Sequence, residues 1–250
     1  MDENKTSLAV PAAIIIFILV IAGAVYYRSN IDPSDNLAAT SAATATSSSE
    51  LAKIIQPAEG INLASLRDVD LTDKIRGEAN APIKVIVYTD LECPACKYFH
   101  NQLRATENNY VNTGKVAIIY RPFPLESLHP VKAVNEFMAA ECVSELGGNE
   151  KYLQFIDKIF EITPSNNGLD PAKLSETAQT LGVDIKSFDS CLTAKKYNDK
   201  IQAGVQEAIT LGAQGTPFFV IVAKDQKIPV FGGLPAERLA AAFDLLLADQ

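Results

Sequence analysis

Two cysteines separated by two residues, Cys93-Pro94-Ala95-Cys96, fall where a strand pattern ends and a helix pattern begins. Ile83-Lys84-Val85-Ile86-Val87-Tyr88-Thr89 is short, β-branched and mostly apolar, which reads as a buried strand. Helical spacing follows at Ala95, Tyr98, Phe99, Leu103 and Tyr110-Val111. After the turn Asn112-Thr113-Gly114, the run Lys115-Val116-Ala117-Ile118-Ile119-Tyr120 reads as a second buried strand. Strand, helix and strand in that order make a βαβ unit with parallel strands, because a parallel pair needs a long crossover. The cysteine pair is thereby placed at the turn from strand to helix.

The rest of the chain alternates less. Val131, Val134, Met138, Cys142 and Leu146 recur at helical spacing, and Tyr152, Leu153, Ile156, Ile159 and Phe160 form another stripe. Pro171 opens a third helix, with Leu174, Ala178 and Leu181 inward and Gly182 just beyond its end. Ile185, Phe188 and Leu192 suggest a short fourth, and Tyr197, Ile201, Val205, Ala208 and Leu211 a fifth. Strands return at Pro217 to Ala223 and Lys227 to Phe231, around the turn Lys224-Asp225-Gln226. A last helix starts at Pro235, with Leu239, Phe243, Leu246 and Leu247 inward. The order predicts an α/β sheet protein with a helical insertion over about 130–212.

The chemistry belongs to the cysteines. At the first turn of a helix, unpaired backbone N–H groups and the positive end of the helix dipole stabilise a thiolate. Cys93 is therefore the expected exposed, attacking thiol, and Cys96 the buried resolving thiol that reaches back to it. Pro94 suits the first helical position, where no N–H is needed. A four-cysteine zinc site is the competing reading, but Cys142 and Cys191 lie far apart with no second close-spaced pair, so no metal is expected. An inert structural disulfide at Cys93–Cys96 is the other alternative. No cofactor is called for. Among single residues, His129 reads as structural and His100 as a helix-surface residue. Asp90 and Glu92 read as loop solvation and capping.

The stretch Gly77-Glu78-Ala79-Asn80-Ala81-Pro82, and then Asp90-Leu91-Glu92-Cys93-Pro94-Ala95-Cys96-Lys97-Tyr98-Phe99-His100, resembles the DsbA-like thiol–disulfide oxidoreductases of the thioredoxin superfamily. Arg121-Pro122-Phe123-Pro124-Leu125, Gly215-Thr216-Pro217-Phe218-Phe219 and Phe231-Gly232-Gly233 fit the same family, so the resemblance covers roughly 75–250. It implies a thioredoxin fold, with Pro217 cis opposite the cysteines and Thr216 and Pro217 forming a substrate-binding loop. One departure stands out. Many relatives carry a buried acid six residues before the first cysteine, where this chain has Val87. Glu92 should disfavour a Cys93 thiolate and Lys97 favour one. Cys142 and Cys191, both expected on inward helix faces, are expected to form a second, structural disulfide of the kind some relatives carry; buried free thiols are the alternative.

The amino-terminal part supplies the setting. Leu8 to Tyr27 is uncharged and apolar, long enough at 1.5 Å per residue to span a ~30 Å hydrocarbon core. A cleaved signal peptide ending near Ala22-Gly23-Ala24 is the alternative. Residues 28–60, rich in Ala, Ser and Thr, read as a flexible linker, although an Ala-rich helix competes. The expected layout is a cytoplasmic segment 1–7, a transmembrane anchor 8–27, the linker 28–60, and a thioredoxin domain 61–250 on the extracytoplasmic side of the cell membrane. The net charge of −8 excludes a phosphate-binding face, so no nucleic acid partner is expected. The expected activity is disulfide introduction or exchange in client proteins with reduced or mispaired cysteines. The resemblance implies a membrane reoxidant of the DsbB or VKOR kind. Isomerase or reductase action, and a non-catalytic binding module or chaperone, remain the rival readings.

Overall fold

The computed structural model describes residues 49–249. The expected cytoplasmic segment, the anchor and most of the linker lie outside the described residues. Among these residues no helix is long and apolar enough to cross a membrane.

Five strands form one sheet in the order β1-β3-β2-β4-β5. They are β1 (Lys74–Arg76), β2 (Ile83–Thr89), β3 (Val116–Pro122), β4 (Phe218–Ala223) and β5 (Gln226–Phe231). The helices are α1 (Pro94–Ala105), α2 (Lys132–Ile162), α3 (Ala172–Thr180), α4 (Ile185–Thr193), α5 (Asn198–Leu211) and α6 (Ala236–Ala248). β2 and β3 run parallel, with Thr89 opposite Pro122. β4 lies antiparallel on the other side of β2, with Tyr88 opposite Phe218. This register brings the ends of β2 and β3 and the start of β4 to one end of the sheet, so Cys93 and Thr216 meet across 123 residues.

Both faces of the central strands are covered, which is why β2 and β3 are nearly continuous apolar runs. Val85, Val87, Ile118, Tyr120, Phe219 and Ile221 pack with residues of α1, α2 and α6. Ile86, Tyr88, Ile119, Phe218 and Val220 pack with Ala208 and Leu211 of α5. The helical insertion, α2 to α5, closes one end with a covalent link. Cys142 of α2 is bonded to Cys191 of α4, Cα to Cα 5.9 Å. Within α2 the helical conformation breaks at Gly148, whose φ of 82° an L side chain rarely adopts.

Several expectations need correction. The linker does not run to 60: residues 49–55 are helical, and Leu51 and Ile55 are buried in the main core. Ala58 N–H then donates to Pro229 C=O at 2.6 Å. The Ser and Thr bias ends before Glu50, and Leu51 and Ile55 stand at helical spacing just past it. Val131 is not an inward helix residue. It precedes α2 with φ 68° and is 68% exposed. Leu146 is also exposed. His100 is not on the helix surface but 4% exposed, because the second half of α2 covers that side of α1. Its Nε2 lies 3.0 Å from Asp157. The Tyr120 hydroxyl is 3.3 Å from its Nδ1. Its ring stacks on Phe160. Burial lowers its pKa below the usual histidine value, against the pull of Asp157.

Candidate active site

The first turn of α1 carries the site. Cys93 is the N-cap, in extended conformation, and Pro94 is the first helical residue. An N-cap leaves the next backbone N–H groups free to point at its own side chain. Neither cysteine is widely open: Cys93 is 7% exposed and Cys96 1%. The expected exposed thiol is therefore a thiol at the rim, with only its edge accessible. Both are unbonded thiols in this structure.

The Cys93 thiol pKa is lowered to about 6. The Cys96 thiol donating to it is the main cause; burial opposes, and Thr216 and the N–H groups of Cys96 and Ala95 add to the lowering. Cys96 moves the other way, well above its ordinary value, because burial disfavours its charged form and the neighbouring Cys93 thiolate repels a second charge. The two sulfurs thus divide the work of attack and proton storage.

The Thr216–Pro217 peptide is cis. Thr216 C=O lies 3.6 Å from Cys93 Sγ. Gly232 N–H donates to Pro217 C=O at 2.9 Å, which ties the loop to the end of β5. Gly233 allows this close packing, since a Cβ there would meet Phe99 of α1 at 2.9 Å. The structure thus brings together Cys93, Cys96, Thr216 and Pro217 and sets the Cys142–Cys191 bond apart, in the helical insertion.

At the position of the missing acid, Val87 is buried among apolar groups. The polar groups around Cys96 are others. Asp90 N–H lies 3.5 Å from its sulfur. The hydroxyls of Thr89 and Thr216 also face it. Asp90 and Glu92, expected in solvent, are fully buried. Asp90 does cap the loop, since its carboxylate accepts from Glu92 N–H at 2.8 Å and Leu125 N–H at 2.7 Å. His129 Nδ1 sits 2.8 Å from the same carboxylate, which makes it a structural partner of the loop before the cysteines. Lys97 is turned away to the carbonyls of Glu161 and Thr163.

A second buried cluster holds the far side of the sheet. The Arg121 guanidinium, 2% exposed, donates to both oxygens of Asp73, to Glu207 and to the Tyr88 hydroxyl. Sequence reasoning placed Arg121 only in a family motif. A lone arginine ending an apolar strand was the available signal, because such a charge must be paired when buried.

A nucleophilic cysteine at a helix start, a resolving cysteine one turn on, and a cis-proline loop across the sheet define a DsbA-like thiol–disulfide oxidoreductase. A thioredoxin family model matches residues 70–229, and the chain belongs to that family. The crystal structure of Wolbachia pipientis alpha-DsbA1 superposes with a TM-score of 0.63 at 26% identity, over 72% of this chain and 94% of that one. "Probable disulfide bond formation protein D" of Bacillus cereus is 25% identical over 58% of this chain and 68% of its own length. The "Na(+)/H(+) antiporter NhaA 1" of Mycobacterium sp. (strain KMS) is 27% identical over 178 residues. That match covers 70% of this chain but only 28% of the antiporter, so the chain spans little more than a quarter of that relative.

Proposed function

We propose that the chain oxidises client cysteine pairs outside the cytoplasm, held at the cell membrane by residues 8–27. The observation that carries this reading is Cys93 at the N-cap of α1, 3.6 Å from Thr216 C=O, with Cys96 enclosed behind it, a geometry that lowers the first thiol's pKa to about 6 and raises the second's. In the oxidised protein a client thiolate attacks Cys93 Sγ, and the Cys93–Cys96 bond breaks. Cys96 leaves and takes a proton, which its raised pKa favours. The second client thiolate then attacks the client sulfur of the mixed disulfide. Cys93 departs as a stabilised thiolate, and a low leaving-group pKa speeds that step. Two electrons pass from client to protein, and the client gains one disulfide. Stabilising the reduced form in this way makes a pair oxidising.

The Cys142–Cys191 bond supports an oxidising compartment, where such links persist. The relatives named for DsbA and for disulfide bond formation support the direction of transfer. Regeneration calls for a membrane acceptor of the DsbB or VKOR kind. The test is the reduction potential of Cys93–Cys96 together with refolding of a reduced disulfide protein, with Cys93→Ser as control. A potential near about −120 mV and refolding lost in the variant support an oxidase; one near about −270 mV makes the chain a thioredoxin-like reductant.

A further inference from the structure

Two buried acids, one of them next to Cys93, take no part in the exchange as written. Glu92 directly precedes Cys93 and is 0% exposed; Glu136, on α2, is 2% exposed. The Glu92 carboxylate accepts from Leu169 N–H at 2.9 Å, Gly168 N–H at 3.1 Å and the Thr163 hydroxyl at 3.3 Å. Its backbone C=O accepts from Asn166 N–H at 2.7 Å. The loop 163–169 is thus wrapped around one residue. It does so through three successive residues with positive φ, Ser165 at 66°, Asn166 at 54° and Asn167 at 63°. Side chains rarely adopt that conformation, so the loop needs these bonds to hold it. Asn166 is exposed, which puts the loop at the edge of the site.

Glu136 explains how a carboxylate can stay buried there. Its Oε2 is enclosed with no donor facing it. An ionised Glu136 would be an unpaired buried charge beside Glu92; a protonated one donates to Glu92 and resolves both problems. Burial raises its pKa to about 10, Glu92 and Asp90 add to the rise, and Lys132 opposes it. Burial also pushes Glu92 upward, but the hydrogen bonds from Glu136, Leu169, Gly168 and Thr163 outweigh it and hold Glu92 below its ordinary value. The pair therefore keeps one proton and one negative charge.

We propose that Glu92 and Glu136 are positioning residues for thiol exchange: sharing one proton, they fasten the loop 163–169 to the peptide before Cys93 and set how readily Cys93 carries charge. This rests on the reading of Cys93 as the attacking thiol. The buried negative charge at Glu92 opposes a Cys93 thiolate, and the Glu136 proton limits that charge to one and partly screens it.

The test follows the thiolate absorbance of the reduced full-length chain against pH, with amide exchange at Gly168 and Leu169 in parallel. Glu92→Gln removes the charge and should raise the Cys93 acid dissociation constant at least threefold. Glu136→Leu removes the screening donor and should lower that constant at least twofold. Glu136→Gln keeps a donor and should stay within twofold of the unaltered protein. Opposite signs in the first two variants are the signature, because a clamp that only supports packing would shift both the same way. If Glu92→Gln does not fold, the contrast between Glu136→Leu and Glu136→Gln decides. Shifts of one sign, or constants unmoved while the loop amides stay protected, overturn the proposal. A Cys93 with an ordinary thiol pKa in the unaltered protein overturns it too, and that result alone marks failure of the active-site reading.

Discussion

A sulfur at the start of a helix is a different reagent from the same sulfur three residues later, and here the difference is large enough to measure. Cys93 is lowered to about 6 by the Cys96 thiol, Thr216 and two backbone N–H groups, while burial holds Cys96 well above its ordinary value. Reduction of the disulfide below the Cys93 pKa takes up two protons with two electrons. Above it only Cys96 is protonated, so one proton is taken up. The reduction potential should therefore fall by about 59 mV per pH unit below pH 6 and by about 30 mV per unit above it. Redox equilibration with glutathione across pH 4.5–8.5 checks this, and a single slope throughout would show that Cys93 titrates like a free thiol. The same shift acts on stability. A thiol with a lowered folded-state pKa stabilises the reduced protein fully above the unfolded value of ~8.5, and that contribution fades as pH falls through the folded value. The chemistry of this pair was legible because helix starts and cysteine spacing are local. The burial of Asp90, Glu92 and Glu136 was not. Glu92 finds its partners 71 to 77 residues away, and no local pattern announces a carboxylate that will be enclosed by a distant loop.

Elements were readable where their period was long and missed where a partner makes them. The central strands and the six helices α1 to α6, α2 as two stripes, announced themselves by runs of apolar residues at fixed spacing. β1 did not, because Lys74-Ile75-Arg76 is three residues long and becomes a strand only by pairing with β3. What holds that edge, and α5 beneath it, is the Arg121 guanidinium at the end of β3. It binds Asp73, just before β1, and Glu207 of α5. Asp73 is as enclosed as Arg121, and replacing the arginine leaves it only the more exposed Arg67 and the Asp70 N–H as partners. Arg121→Met should cost about 2–4 kcal/mol, somewhat under the usual penalty for breaking a buried pair from one side, because Arg67 still faces Asp73. Urea unfolding of the oxidised protein gives the number, and a loss under 1 kcal/mol would mean that water reaches this cluster. A second contact tests the same seam without charge. At Gly204 of α5, an added Cβ would fall 2.7 Å from the Pro122 backbone oxygen. Gly204→Ala should therefore push α5 off β3 and destabilise by about 1–3 kcal/mol, despite the better helix propensity of alanine. A neutral or stabilising result in the same assay would show that the helix shifts freely.

At the scale of the whole molecule, one half of the fold does chemistry and the other half is braced. The sheet with α1 and α6 carries the exchanging cysteines, and the insertion from α2 to α5 carries the Cys142–Cys191 bond. The two disulfide chemistries are separated by role as well as place. Cys142 is 0% exposed, so an attacking thiolate can approach this bond only from the half-buried Cys191 side. The bond spans 49 residues of sequence, including the break at Gly148 and the turns around α3. Closing a loop of that length restricts the unfolded chain by about 4 kcal/mol at 25 °C in the entropy model, less any strain. The double variant Cys142→Ala and Cys191→Ala should lose stability on that order, because it frees the unfolded loop and trims two side chains from the insertion. Exchange at Cys93 should persist, since neither sulfur reaches the active site and the cis-proline loop hangs from β4 and β5. Chemical unfolding paired with a disulfide-exchange assay at 25 °C separates the two effects. Equal stability with and without the bond would mean that the reduced insertion packs as well by itself. Loss of exchange in a variant that still folds would mean that the insertion steers the site, through the Glu92-bound loop that joins α2 to α3.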